Sequence, residues 1–158
     1  MSYNFPYYNF SSRFWNLLTL YLAIVSVTFL VLFLVSNNSP YLYLLLYLTL
    51  VAFLVLQGVK QCKYYIQTLE LNDSTIHLRI YEFDKLIVDN SFHLNDISMN
   101  IVLASSSVRG NIYKLIIIIN KNLIIAQYEN LFWRKNNFDE ILKTYKANTS
   151  IKSSVDIQ

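Results

Sequence analysis

Between Phe14 and Val59 the chain holds no Asp, Glu, Lys, Arg or His. An apolar run of this length without charge is too long for one membrane span, since about 20 residues cross a hydrocarbon core of roughly 30 Å. Other residues are scarce along the whole chain. Two glycines cannot build a Walker-type or Gly-x-Gly-x-x-Gly phosphate loop. Together with only two prolines they also argue against collagen-like repeats, disorder and long flexible linkers. A single cysteine, Cys62, excludes an internal disulfide and a Cys-based metal cluster. His77 and His93 are the only histidines, which leaves a metal site short of its usual three or four ligands. We read both as solvated surface residues and expect no metal and no cofactor. No Gly-x-Ser-x-Gly elbow accompanies Ser105–Ser107, so that serine run reads as turn chemistry. The net charge of +3 is small and thinly spread, and gives no case for nucleic acid. With no catalytic constellation, the expected role is non-enzymatic.

What is present begins with the apolar run itself. It carries a break at Ser36-Asn37-Asn38-Ser39-Pro40, a cluster of turn formers ending in a proline. The sequence therefore predicts a two-helix transmembrane hairpin over residues 14–59, with spans at about 14–35 and 41–59. Within lipid the backbone must satisfy its own polar groups, which makes helices the expected state of two such spans. A secretory signal has a shorter apolar core and a small-residue cleavage site, so a retained anchor is expected. Arg13 precedes the first span, the loop is uncharged, and Lys60 and Lys63 follow the second. The positive-inside rule then places both termini of this multi-pass protein in the cytoplasm. Residues 1–13 read as a cytoplasmic segment whose aromatics, with Trp15, are suited to the headgroup layer.

Within the hairpin, Thr19, Ala23 and Ser26 share a face of the first span, and Thr49 and Ala52 lie close together on the second. Small residues let helices approach closely in lipid, so these are the expected packing positions. Asn16 and Gln57 should lie at similar depth and share a hydrogen bond of about 0.6 kcal/mol. A transport pathway would need ionisable groups inside the membrane, and the spans have none.

Residues 60–147 read as strands closed by one helix, with 148–158 as a flexible tail. Ile76, Leu78 and Ile80 alternate with His77, Arg79 and Tyr81, the period of a half-buried strand. Strands are also predicted over 66–71, 86–88, 91–97, 98–103, 113–119 and 123–128, with a loop over 105–111. The run Leu115–Ile119 is bounded by Lys114 and Lys121, and its β-branched residues fit a buried strand better than a third span. Asn137 reads as a helix N-cap with Glu140 three residues on, ahead of an apolar face of Phe138, Ile141, Leu142 and Tyr145. Phe132-Trp133-Arg134-Lys135, just before that helix, is a candidate surface contact with membrane or partner; packing of at least one of its aromatics against the sheet is the competing reading.

Three stretches carry a resemblance: Phe92-His93-Leu94-Asn95-Asp96-Ile97, the paired runs Tyr113–Ile119 and Leu123–Tyr128, and the helix Asn137–Lys146. With the hairpin before them, they resemble small bacterial membrane proteins carrying a pleckstrin-homology-like (PH-like) domain. The resemblance implies an antiparallel sheet or partial barrel, capped by the C-terminal helix and used as a binding platform. The turn Asn72-Asp73-Ser74, preceded by Glu70, departs in sign from the basic loop that binds phosphoinositides in the lipid-binding version of that fold. The expected function is a membrane-anchored interaction module, an accessory or assembly subunit working with other integral membrane proteins in a larger complex of the inner membrane, the location the bacterial resemblance implies. The alternative is a self-contained, lipid-sensing homo-oligomer at the membrane surface.

Overall fold

The computed structural model describes residues 1–35, 40–107, 110–130 and 132–155. The predicted loop positions 36–39 lie outside the described residues, as do 108 and 109 within the predicted 105–111 loop. The chain divides into two compact units: Tyr8–Lys63, and Met1–Tyr7 together with Tyr64–Gln158.

The first unit is a pair of helices, α1 (Phe10–Val35) and α2 (Pro40–Cys62). Helix α1 starts four residues ahead of the predicted span because Asn9 caps it: its Oδ1 accepts from the Ser12 amide at 2.8 Å. Pro40 occupies the first position of α2, where its missing amide costs no helical bond. Both helices are long and apolar enough to cross a membrane, and only 6% of the most apolar window of each is buried. A core helix of a water-soluble fold would be mostly covered.

The second unit contains two antiparallel sheets and one helix. The four-stranded sheet has the order β1 (Ser2–Asn4), β2 (Tyr64–Leu71), β3 (Thr75–Glu82), β4 (Lys85–His93). A 3-10 turn over Leu94–Asp96 leads to the three-stranded sheet, β5 (Ile97–Ser107), β6 (Gly110–Ile119), β7 (Leu123–Tyr128). Helix α3 (Lys135–Val155) follows. The barrel is not closed. The predicted strands 86–88 and 91–97 merge as far as His93 into one strand, β4, because Asp89 and Asn90 stay in register with Arg79 and Leu78 across the ladder; the rest of the second is the 3-10 turn, and Ile97 opens β5. The predicted serine loop is likewise strand: Ser105 and Ser106 pair with Ile112 and Asn111. The β6–β7 connection turns without glycine because Asn120 and Lys121 both take left-handed backbone, with φ of +50° and +61°.

Residues 1–7 differ most from expectation. They do not form a separate segment with the rest of 1–13: Ser2, Tyr3 and Asn4 pair with Glu70, Leu69 and Thr68. The Phe5 amide donates to Gln67 O at 2.9 Å, and the Met1 ammonium to Leu71 O at 3.0 Å. The hairpin is thus an insertion between two neighbouring strands of one sheet.

Alternation builds the core. Ile76, Leu78 and Ile80 of β3 are fully buried, as are Leu115 and Ile117 of β6 and Phe138 and Ile141 of α3. A β-bulge between Ile66 and Thr68 breaks the strict alternation of β2, so that Tyr65, Ile66, Thr68 and Leu69 are all buried. At the bulge, the Ile66 amide donates to Gln127 Oε1 at 2.9 Å, and its carbonyl accepts from Trp133 Nε1 at 2.8 Å. The first bond ties β2 to β7, and the second ties it to the segment entering α3.

That helix begins two residues before the predicted N-cap. Glu129 Oε1 accepts from the Lys135 amide at 2.7 Å, satisfying a first-turn donor with a carboxylate where the helix dipole favours one. Asn137 lies inside the first turn, and its Oδ1 reaches back to the Arg134 amide at 3.2 Å. The helix runs past Asn148, where the sequence predicts the tail to begin. Asn148 Nδ2 donates to Asn72 O at 3.1 Å, and the helix continues to Val155.

Candidate functional site

On the four-stranded sheet, the face opposite the core carries two transverse polar rows. Register places Ser2, Glu70, His77 and Ser91 in one row, and Asn4, Thr68, Arg79 and Asp89 in the other. The outer pairs of each row bond. Ser2 Oγ lies 3.2 Å from Glu70 Oε1, Thr68 Oγ1 donates to Asn4 Oδ1 at 3.1 Å, and His77 Nδ1 lies 3.3 Å from Ser91 Oγ. Arg79 Nη2 meets Asp89 Oδ2 at 2.8 Å, and His77 Nε2 lies 3.4 Å from the other oxygen of Asp89. The Arg79 hydrogen bond holds the Asp89 carboxyl below its ordinary value and raises the guanidinium in turn. These charges engage each other on an open surface. Among the described residues, no group of three or more His, Cys, Asp or Glu could hold a metal ion.

The candidate contact Phe132–Lys135 divides in two. Trp133 is fully buried, with its ring centroid 4.9 Å from Phe5, 5.7 Å from Tyr3 and 6.0 Å from Phe138. It is the anchor that holds β1 and α3 to the same sheet. Phe132 is half-buried beside Phe5, at 5.7 Å. Arg134 and Lys135 are exposed, with Lys135 Nζ 4.6 Å from the Tyr113 ring centroid and 3.9 Å from Asp139. Tyr3 closes the cluster by donating to Glu140 Oε2 at 2.5 Å. Burial, then the bond to that carboxylate, pushes the Tyr3 phenol up to about 12. The alternation Tyr3-x-Phe5-x-Tyr7 is a strand signal. It is easily missed in a three-residue element whose partner lies more than sixty positions on.

Comparison of the chain with protein-family models, curated proteins and solved structures finds no match. Its site must be read from its own geometry.

In the hairpin, the residues that cover one another are larger than the predicted small set. Leu18 is 2% exposed, and Gly58 lies under the Phe14 ring, where an added Cβ would come within 3.1 Å of it. Half-buried Leu22, Val25 and Phe29 continue the α1 stripe, and Tyr43, Tyr47, Val51 and Leu54 continue that of α2. Of the predicted positions, Ser26 lies in this contact, its Oγ 3.0 Å from Tyr47 Oη. Thr19, Ala23, Thr49 and Ala52 are exposed, and both threonines bond back to their own helix, at Trp15 O and Leu45 O. Asn16 is exposed and Gln57 half-buried, and no hydrogen bond joins them among the described residues. The reason is helical phase: aromatic and leucine side chains at i, i+4 and i+7 claim the facing stripe and turn the small residues outward. Beside the Phe29–Tyr47 ring pair lies an apolar groove of about 240 Å³, lined by residues that include Val25, Leu32, Tyr43 and Leu50.

Proposed function

We propose that the chain is a two-span membrane anchor carrying an interaction domain, and that it serves as an accessory or assembly subunit of a larger complex in a bacterial inner membrane. One observation carries the reading: the two helices cover little of each other, so nearly all of their apolar surface is left for lipid or for other helices. The outward Thr19, Ala23, Thr49 and Ala52 give a second helix places to approach closely.

Topology adds to this. Because β1 and β2 flank the hairpin and pair with each other, the chain must leave and re-enter the membrane on one side. Two spans satisfy that condition. A cleaved leader does not, since it would take β1 with it. Arg13, Lys60 and Lys63 make that side the cytoplasm. We read the sheet domain as PH-like: a four-stranded and a three-stranded sheet followed by a helix, with the first strand supplied from ahead of the hairpin. Its role in this reading is binding, by the polar rows on the outer sheet face.

The experiment is mass spectrometry of what co-purifies with tagged full-length protein in a gentle detergent. The proposal expects a membrane protein at fixed stoichiometry. Recovery as a free monomer would overturn it.

A further inference from the structure

The two ends of the four-stranded sheet differ in chemistry. One end holds the turn Asn72–Ser74 and the 3-10 turn Leu94–Asp96, which are joined by the Leu94 amide to Ser74 O at 3.2 Å. Asn120 reaches the same end, its amide donating to Asp96 O at 2.8 Å. Apart from the buried Leu94, these residues are polar and exposed.

The opposite end holds the β3–β4 turn, where Phe83 is 40% exposed and Leu86 44%. Phe83 has φ +54°, a left-handed backbone that glycine takes freely and an aromatic residue takes at a cost of about 1–3 kcal/mol. Tyr81 lies opposite Leu86, and the Tyr7 ring lies 4.6 Å from Tyr81, extending the apolar surface. Tyr7 Oη donates to Asp84 Oδ1 at 2.8 Å, so the turn's carboxylate is held by a hydroxyl from the segment between β1 and α1.

Position decides what this surface meets. Tyr64 pairs with Glu82, the residue before Phe83, and lies two positions beyond the last residue of α2. Tyr7 lies three positions before the first residue of α1. The apolar end is therefore the end through which both strands pass chain to the hairpin. The polar end lies a full β4 away, roughly 26 Å at strand rise. Aromatic and leucine side chains at that level of a membrane protein belong in the interfacial layer.

We propose that the β3–β4 turn dips Phe83 and Leu86 into the bilayer that the hairpin spans, giving the sheet domain its own contact with lipid. This rests on the membrane-spanning reading above. The contact lies at this turn and not at Trp133 of the stretch Phe132–Lys135, since that indole is buried in the core.

The test uses the full chain with Cys62→Ala, reconstituted in phosphatidylcholine–phosphatidylglycerol vesicles, with one nitroxide label per variant. Labels go at Phe83→Cys, at Leu86→Cys (which leaves the strained turn residue native), at Asn95→Cys on the polar end, and at Phe53→Cys in the middle of α2. Collision with oxygen against a water-soluble nickel chelate reads depth. Expected is a deep Phe53 label, oxygen-favoured labels at Phe83 and Leu86 at the level of the headgroups or below, and a chelate-dominated label at Asn95. Phe83 and Leu86 labels matching Asn95, with Phe53 deep, would overturn the lipid contact alone and point to a protein partner for that surface. A chelate-accessible Phe53 label would overturn the spanning reading and this inference with it.

Discussion

Replacing Trp133 by phenylalanine isolates one bond in the core. The indole is fully buried, and its Nε1 donates to the Ile66 carbonyl at 2.8 Å beside the β2 bulge. Phenylalanine keeps most of the ring contact with Phe5 and Phe138 but removes the donor. A buried acceptor losing its partner costs about 1–3 kcal/mol. Alanine removes the ring as well and leaves a cavity, for a total of about 3–5 kcal/mol. For a unit of this size 1 kcal/mol shifts the melting temperature by about 4–8 °C, so W133F should melt roughly 10 °C below the parent and W133A roughly 20 °C below. Hydrogen–deuterium exchange along a temperature ramp reads this directly in peptides from β2 and β3. Peptides from α1 and α2 serve as the internal reference, because the hairpin is a separate compact unit. A W133F protein within about 0.5 kcal/mol of the parent would refute the role given to the indole bond.

Gly58→Leu should separate α1 from α2 near Phe14 and Leu18 at a cost of about 1–3 kcal/mol, read by resistance of the hairpin to unfolding in dodecyl sulfate; Gly58→Ala, which asks the Phe14 ring to move by a few tenths of an ångström, should be near neutral. Tyr47→Phe removes the Ser26–Tyr47 bond and should cost only about 0.6 kcal/mol in the same assay; an effect several times larger would mean that the hydroxyl pair organises the hairpin. Tyr3 is held protonated in the fold, so its contribution to stability is complete below pH 10 and is lost as the pH rises toward about 12. Melting curves over that window should fall more steeply for the parent than for Tyr3→Phe, and parallel curves would contradict the assignment.

The parts of the fold set by local pattern were legible in the residues. The charge-free run marks two helices, the alternation around Ile76–Ile80 marks β3, and the Phe138–Tyr145 spacing marks α3. The parts set by distant partners were not. Strand β1 exists because β2 lies beside it, more than sixty residues on, and the short alternation from Tyr3 to Tyr7 does not announce that partner. The same holds for Trp133, whose burial depends on Tyr3 and Phe5 arriving from ahead of the hairpin. The hairpin contact is hard to read from residues for a different reason. Small size is a permissive criterion, and the bulky stripe from Phe14 to Phe29 competes for the same interface. The polar rows on the sheet face become visible only through register, which pairs His77 with Ser91 and Arg79 with Asp89.

The hairpin is inserted between two paired strands, so that both of its ends return to one sheet. The most direct measurement is cysteine cross-linking in intact membranes, with Cys62→Ala and the pair Ser2→Cys and Glu70→Cys. Those positions are directly opposed, with side chains in hydrogen-bond contact. The account predicts efficient disulfide closure on mild oxidation, with Ser2→Cys and Asp73→Cys remaining open under the same conditions. No closure of the Ser2–Glu70 pair, or equal closure of both pairs, would contradict it.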